Sequence, residues 1–188
     1  METRNSVPEE NCLTRYSRSI IELMSNLSKQ ETLTLVSLLG KCKSGQLGAE
    51  VFTAIARLTV SCAIEVVPLR SREGKVEVLL IERPKNDPLW ANMVHTPGTV
   101  LRTMDNSLND GFERIFKSEL GVKRFNQPNF MGISFGHGAR GASVGIEHWI
   151  ELNSEPVVGR FYDVNFLPHN FINEQRELLT RAIKAFTN

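Results

Sequence analysis

The run Thr96-Pro97-Gly98-Thr99-Val100-Leu101-Arg102-Thr103-Met104-Asp105 leads, eight residues later, into Arg114-Ile115-Phe116-Lys117-Ser118-Glu119-Leu120-Gly121-Val122, and its reading decides the fold. Pro97 and Gly98 break regular structure ahead of it. Residues 107–120 carry helical spacing, and Gly121 is placed to end that helix. Ile115 and Glu119 are one turn apart and share a face on an α-helix. Asp110 falls in the first turn, where an acid suits the helix dipole. Upstream, residues 62–69 and 75–82 read as strands around the polar turn 71–74, which makes a hairpin. Residues 84–99 read as irregular, with Pro84, Pro88 and Pro97 as breakers. Downstream, residues 130–135 and 142–152 read as strands around a glycine-rich loop, Gly136-His137-Gly138-Ala139-Arg140-Gly141. Residues 160–164 form a short strand. Residues 173–186 close the chain as an amphipathic helix with Leu178, Leu179, Ala182, Ile183 and Phe186 on one face.

The first sixty residues are different. They hold one proline and no aspartate, and their apolar residues recur at helical spacing. Ile20, Ile21, Met24 and Leu27 form one stripe. Ser28-Lys29-Gln30-Glu31 has the form of a capping box and opens a helix that Gly40 can end. A third helix is expected over 49–58. Residues 1–59 are therefore expected to be a helical extension and residues 60–188 the main domain. Residues 1–58 carry seven Lys+Arg against six Asp+Glu, so a DNA-reading helix pair lacks its basic face. The extension is expected to pack on the domain or on a second subunit, as in a homodimer.

The whole chain, 188 residues, is long enough to bury one ordinary core. It carries 22 Lys+Arg against 21 Asp+Glu, a formal charge of +1, which disfavours a general nucleic-acid or membrane-surface binder. No apolar run approaches the ~18–20 residues that span a bilayer. No apolar segment follows the first residues as in a secretory signal. Cys12, Cys42 and Cys62 are odd in number, far apart and without C-x-x-C spacing. Neither a disulfide framework nor a zinc site is expected, and the expected compartment is the reducing cytoplasm. Helices mixed with strands indicate an α+β or α/β/α architecture.

The central run resembles the Nudix box, whose family pattern is G-x5-E-x7-R-E-U-x-E-E-x-G-U, with U apolar. Leu80-Ile81-Glu82-Arg83-Pro84 resembles the strand before that box. Trp90 and His95-Thr96-Pro97-Gly98 resemble its lead-in, and 161–168 with 174–179 resemble its final strand, turn and helix. The resemblance covers roughly residues 60–188 and implies an α/β/α sandwich with a mixed sheet between helices. Residue by residue, the box is degenerate. Thr99 stands at the box glycine, just after Gly98. Asp105 replaces the box glutamate. Eight residues rather than seven separate Asp105 from Arg114. Arg114 keeps the arginine. Ile115 and Ser118 replace two metal-binding glutamates, Glu119 keeps the third, and Gly121-Val122 keep the ending.

The resemblance implies hydrolysis of a nucleoside-diphosphate-linked small molecule, with Mg²⁺ (or Mn²⁺) as cofactor. Magnesium neutralises the diphosphate and activates a water, and it takes oxygen ligands in an octahedral array. Glu119 is then the catalytic residue and principal ligand, with the Gly98 carbonyl and Glu147 as further metal ligands. Arg83 is expected to contact phosphate and Trp90 to stack a base or close the pocket. Asp105, Arg114 and Gly121 are expected to act as scaffold, the first two tying the loop to the helix through a bidentate pair. Arg140 and His137 put an anion-holding loop in view, although the run lacks P-loop spacing. Two readings stay open on these residues: a weak hydrolase, and an inactive Nudix-fold module that binds a nucleotide-like ligand or a protein partner.

Overall fold

The computed structural model describes residues 27–188 apart from Ser44 and Gln46. The stripe Ile20, Ile21 and Met24 lies outside the described residues. The chain divides into two compact units, Met1–Lys43 and Ser44–Asn188. In the first, helix α1 (Lys29–Leu39) begins at the expected capping box. The Ser28 amide donates to Glu31 Oε2 at 2.8 Å and the Glu31 amide to Ser28 Oγ at 3.3 Å.

The second unit opens with α2 (Ala49–Ala56) and then builds a seven-stranded mixed sheet. Its strands are β1 (Val60–Arg72), β2 (Lys75–Glu82), β3 (Val94–His95), β4 (Gly98–Val100), β5 (Asn129–Gly138), β6 (Gly141–Glu151) and β7 (Arg160–Asp163). The main order is β3-β2-β1-β6-β5, with β4 on β1 and β7 on β2. β1 and β6 run parallel from Val60↔Ala142 to Leu69↔Glu151. β1–β2 and β5–β6 are antiparallel hairpins. The irregular stretch expected over 84–99 therefore contains two short strands, because Gly98–Val100 finds an open edge of β1 at Ala63–Glu65.

The two faces of the sheet follow from the period-2 alternation of β1. Ile64 and Val66 turn to one side, into a core with Phe112, Ile115, Phe116, Leu120 and Ile150. Val67 and Leu69 turn to the other, into a core with Phe171, Leu178, Leu179 and Ala182. The first core is covered by α3 (Leu108–Glu113) and its continuation, the second by α4 (Arg176–Thr187). This is the expected α/β/α sandwich. Among the described residues, no helix is long and apolar enough to cross a membrane.

Two local expectations need correction. The helix 107–120 is α-helical only through Glu113. Over Arg114–Glu119 it widens into a π-helix, with the Leu120 amide donating to the Ile115 carbonyl at 3.0 Å. A π turn takes one more residue than an α turn, which accommodates the extra residue between Asp105 and Arg114. The glycine-rich run 136–141 is also mostly strand. Gly136, His137 and Gly138 pair with Ser143, Ala142 and Gly141, leaving a two-residue turn at Ala139-Arg140.

Candidate functional site

Parallel register places Glu65 of β1 directly beside Glu147 of β6. The alternation that sends Ile64 and Val66 under α3 turns both carboxylates to the α4 side. Glu147 is 3% exposed, and Arg181 of α4 approaches its Oε2 to 2.6 Å. Among the described residues, Glu65 has no such ion pair. Burial pushes its carboxyl up to about 7, and the neighbouring Glu147 charge adds to that, partly offset by Arg83 and Arg140. Gln175 holds the pair of strands to the loop, donating from Nε2 to Glu65 at 3.4 Å and accepting the Thr96 amide at 2.9 Å. Gly98 pairs with Glu65 across the β1–β4 ladder. A Cβ at Gly98 would stand 2.6 Å from Glu65 Oε2 and 3.0 Å from the Ile64 carbonyl, so only glycine lets the loop close here.

Both glutamates lie in the wall of a cavity of about 490 Å³. That is within the usual ~300–1,000 Å³ of small-molecule sites. Arg83, Trp90, Gly98 and Arg140 share the wall. The two arginines come from distant places, the end of β2 and the β5–β6 turn, and meet over Trp90. Their guanidinium carbons lie 5.5 Å and 4.8 Å from the ring centroid. Asp87 stands between them, 3.2 Å from Arg83 Nε and 3.8 Å from Arg140 Nη2. His95, also in the wall, is held down to about 4, chiefly by burial and then by Arg83, so it is neutral at ordinary pH.

The structure thus brings Arg83, Trp90, Gly98 and Glu147 together and adds Glu65, His95, Gln175 and Arg181. Glu119 does not line this cavity. It lies half-buried on the π turn, its carboxyl raised by burial against the opposing influence of Arg114, Arg102 and Arg83. Ile115 is fully buried in the core under α3, and Ser118 is exposed. Asp105 and Arg114 form a two-pronged pair, Nη1 to Oδ1 at 2.7 Å and Nη2 to Oδ2 at 2.9 Å. Arg114 also donates to the Val100 carbonyl at 3.2 Å, and Asp105 accepts the Arg102 amide at 2.7 Å. The bonds from Arg114 hold the Asp105 carboxyl down to about 2. Gly121 ends the helix at φ +71, where a Cβ would stand 2.6 Å from Val157 Cγ2.

These donors are a poor fit to Mg²⁺. The ion takes one or two free carboxylates, with waters and substrate phosphates completing its octahedron. Glu119 and Glu147 do not share the cavity, Glu147 is committed to Arg181, and the box position at 115 supplies a core methyl group. Among the described residues, no three His, Cys, Asp or Glu side chains are grouped so as to hold a metal ion.

Glu65 was missed by sequence reading because it sits inside a strand. Its signal is a lone acid among Ile64, Val66 and Val67, where a strand buried on both faces would be apolar throughout. Asp87, Gln175 and Arg181 carried no such signal, since each reaches the site through the fold.

The fold matches solved structures. The Nudix domain of Shewanella oneidensis NrtR, complexed with ADP-ribose, aligns at TM-score 0.56 and 16% identity, covering 85% of this chain and 99% of that one. A MutT/Nudix family protein from Enterococcus faecalis aligns at 0.55 and 16%, covering 97% of this chain and 76% of that one. A MutT Nudix hydrolase from Burkholderia pseudomallei aligns at 0.54 and 18%, covering 65% and 98%. No family model matches the sequence, and no curated protein matches it. The chain has the Nudix fold.

Proposed function

We propose that this chain is a Nudix-fold binding domain for a small nucleoside-diphosphate derivative and that it does not hydrolyse its ligand at a box-type metal centre. One observation carries the reading: Ile115, at the first metal-binding position of the box, is a core residue with no exposure at all. The first of the three box positions is here used for packing, while Ser118 is exposed and Glu119 half-buried. The cavity carries Arg83, Arg140 and Arg181 together with Glu65 and Glu147 in its wall. The NrtR domain, which shares the fold, was crystallised with ADP-ribose, a ligand of the chemistry this cavity suits.

A metal-dependent hydrolase with Glu119 as ligand or base is the second reading. The half-buried Glu119 carboxyl, raised by burial, favours it, because a base gains from a raised pKa. A panel of nucleoside-diphosphate derivatives with Mg²⁺ and with Mn²⁺, read for product release and thermal shift together, separates the two. Thermal shift without product supports the binding domain. Product formation that needs the metal supports the hydrolase.

A further inference from the structure

A binding domain that lacks a fitting metal site must neutralise the diphosphate some other way. We propose that Arg83 and Arg140, braced on Trp90, form the seat for the diphosphate and that ligand binding there is independent of divalent metal. The proposal rests on the binding-domain reading above and names the groups within that cavity that recognise the anion.

The geometry supports it at each residue. Both arginines line the cavity and are largely covered, their side chains 22% and 27% exposed. Asp87 is the carboxylate paired with both, and it is already engaged. Its Oδ1 accepts the Leu89 and Trp90 amides, each at 3.0 Å. Its other oxygen faces two guanidiniums, which leaves one formal positive charge on the three side chains, and Glu65 interacts with both arginines from the same cavity wall. Arg83 Nε stands in its ion pair with Asp87, and Arg140 Nε is buried with no hydrogen-bond partner among the described residues. A guanidinium presents planar, paired donors that match phosphate oxygens.

Trp90 acquires a different role from the one its sequence suggests. Its ring is occupied by two guanidiniums at 5.5 Å and 4.8 Å, so it is a positioning residue for the cations rather than a shelf for a base. Phe52 adds a second aromatic surface 5.4 Å from the Arg140 guanidinium. The acidic pair Glu65 and Glu147 lines the same cavity. Glu147 is engaged by Arg181, and Glu65 is placed to hydrogen-bond a ligand hydroxyl, which assigns the diphosphate to Arg83 and Arg140.

The test uses the full chain, with ADP-ribose and inorganic pyrophosphate as probes, by calorimetry in EDTA and again in Mg²⁺. ADP-ribose is expected to bind equally in both. Arg140→Gln and Arg83→Gln are each expected to weaken it by about tenfold or more, the usual loss for a hydrogen bond to a charged group. Trp90→Leu should weaken binding and Trp90→Phe should restore it, an outcome a purely structural tryptophan would not give. If Arg83→Gln fails to fold, Arg140→Gln, at a hairpin turn, still decides the matter. Binding that needs Mg²⁺, or binding unchanged in folded Arg140→Gln, overturns the seat while leaving the binding domain intact. Pyrophosphate binding through the arginines without any ADP-ribose binding keeps the seat and overturns the ligand class. No binding of either probe overturns both.

Discussion

Replacing Ile115 by glutamate asks directly what the box helix is for. The side chain has no exposure and packs with Ile64, Phe112, Phe116 and Leu120. Removing it from that core forfeits roughly 1.5–3 kcal/mol of apolar burial. The carboxylate must then either remain buried without a partner, at several kcal/mol, or stay neutral with a strongly raised pKa. The sum is on the order of 4–6 kcal/mol, a large part of the ~5–15 kcal/mol that holds a domain folded. Ser118→Glu, on the exposed side of the same turn, should change stability by no more than about 0.5 kcal/mol. Ile115→Val, which removes one methylene and keeps the site apolar, should cost about 0.5–1.5 kcal/mol. Urea unfolding of the three variants, with and without Mg²⁺, measures all of this. Mg²⁺ should not restore Ile115→Glu, because its carboxylate points into the core. A variant of wild-type stability, or one stabilised specifically by Mg²⁺, would refute the packing argument and return this face to a metal site.

Other outcomes follow from the same geometry. Calorimetry of the free protein with Mg²⁺ should show no tight site; submicromolar binding would mean that acids outside the expected donor set converge. Glu65, raised from 4.5 to about 7, contributes stability that is fully present below its unfolded value and is lost as pH rises toward 7. Glu65→Gln should therefore be the more stable protein above pH 7, as read by thermal melts across that range. Asp105, lowered from 3.8 to about 2, behaves oppositely: its contribution is present above pH 4 and lost as pH falls through about 2. Asp105→Asn should remove that acid-side loss. A chain of residues 60–188 should keep the circular dichroism of the sheet although it loses Phe52 from the Arg140 guanidinium; aggregation would show that residues 44–59 complete the core.

Much of the fold was legible because its signals are local. The capping box at Ser28–Glu31, the β1–β2 hairpin and the apolar face of α4 each depend on residues close in sequence. The π turn was not legible as such. The sequence shows an extra residue between Asp105 and Arg114, but a loop or a wider helical turn could each absorb it, and packing of Ile115 and Phe116 accompanies the second. The glycine run 136–141 failed for the opposite reason: its residues have loop composition but pair with Gly141–Ser143, so the ladder overrides their local preference. Of the residues that the sequence singles out, Arg83, Trp90, Gly98 and Glu147 share the wall of one cavity. The Glu65–Glu147 pairing and the meeting of Arg83 with Arg140 were not legible. The first depends on the parallel register of strands roughly eighty residues apart, and the second on where a distant hairpin turn comes to rest.

The most direct measurement incubates the full chain with ADP-ribose and Mg²⁺ and quantifies nucleoside monophosphate released, alongside the ligand-induced shift in melting temperature. The account predicts a thermal shift of equal size in Mg²⁺ and in EDTA, with no monophosphate formed. Metal-dependent release of monophosphate that Glu119→Gln abolishes would contradict it.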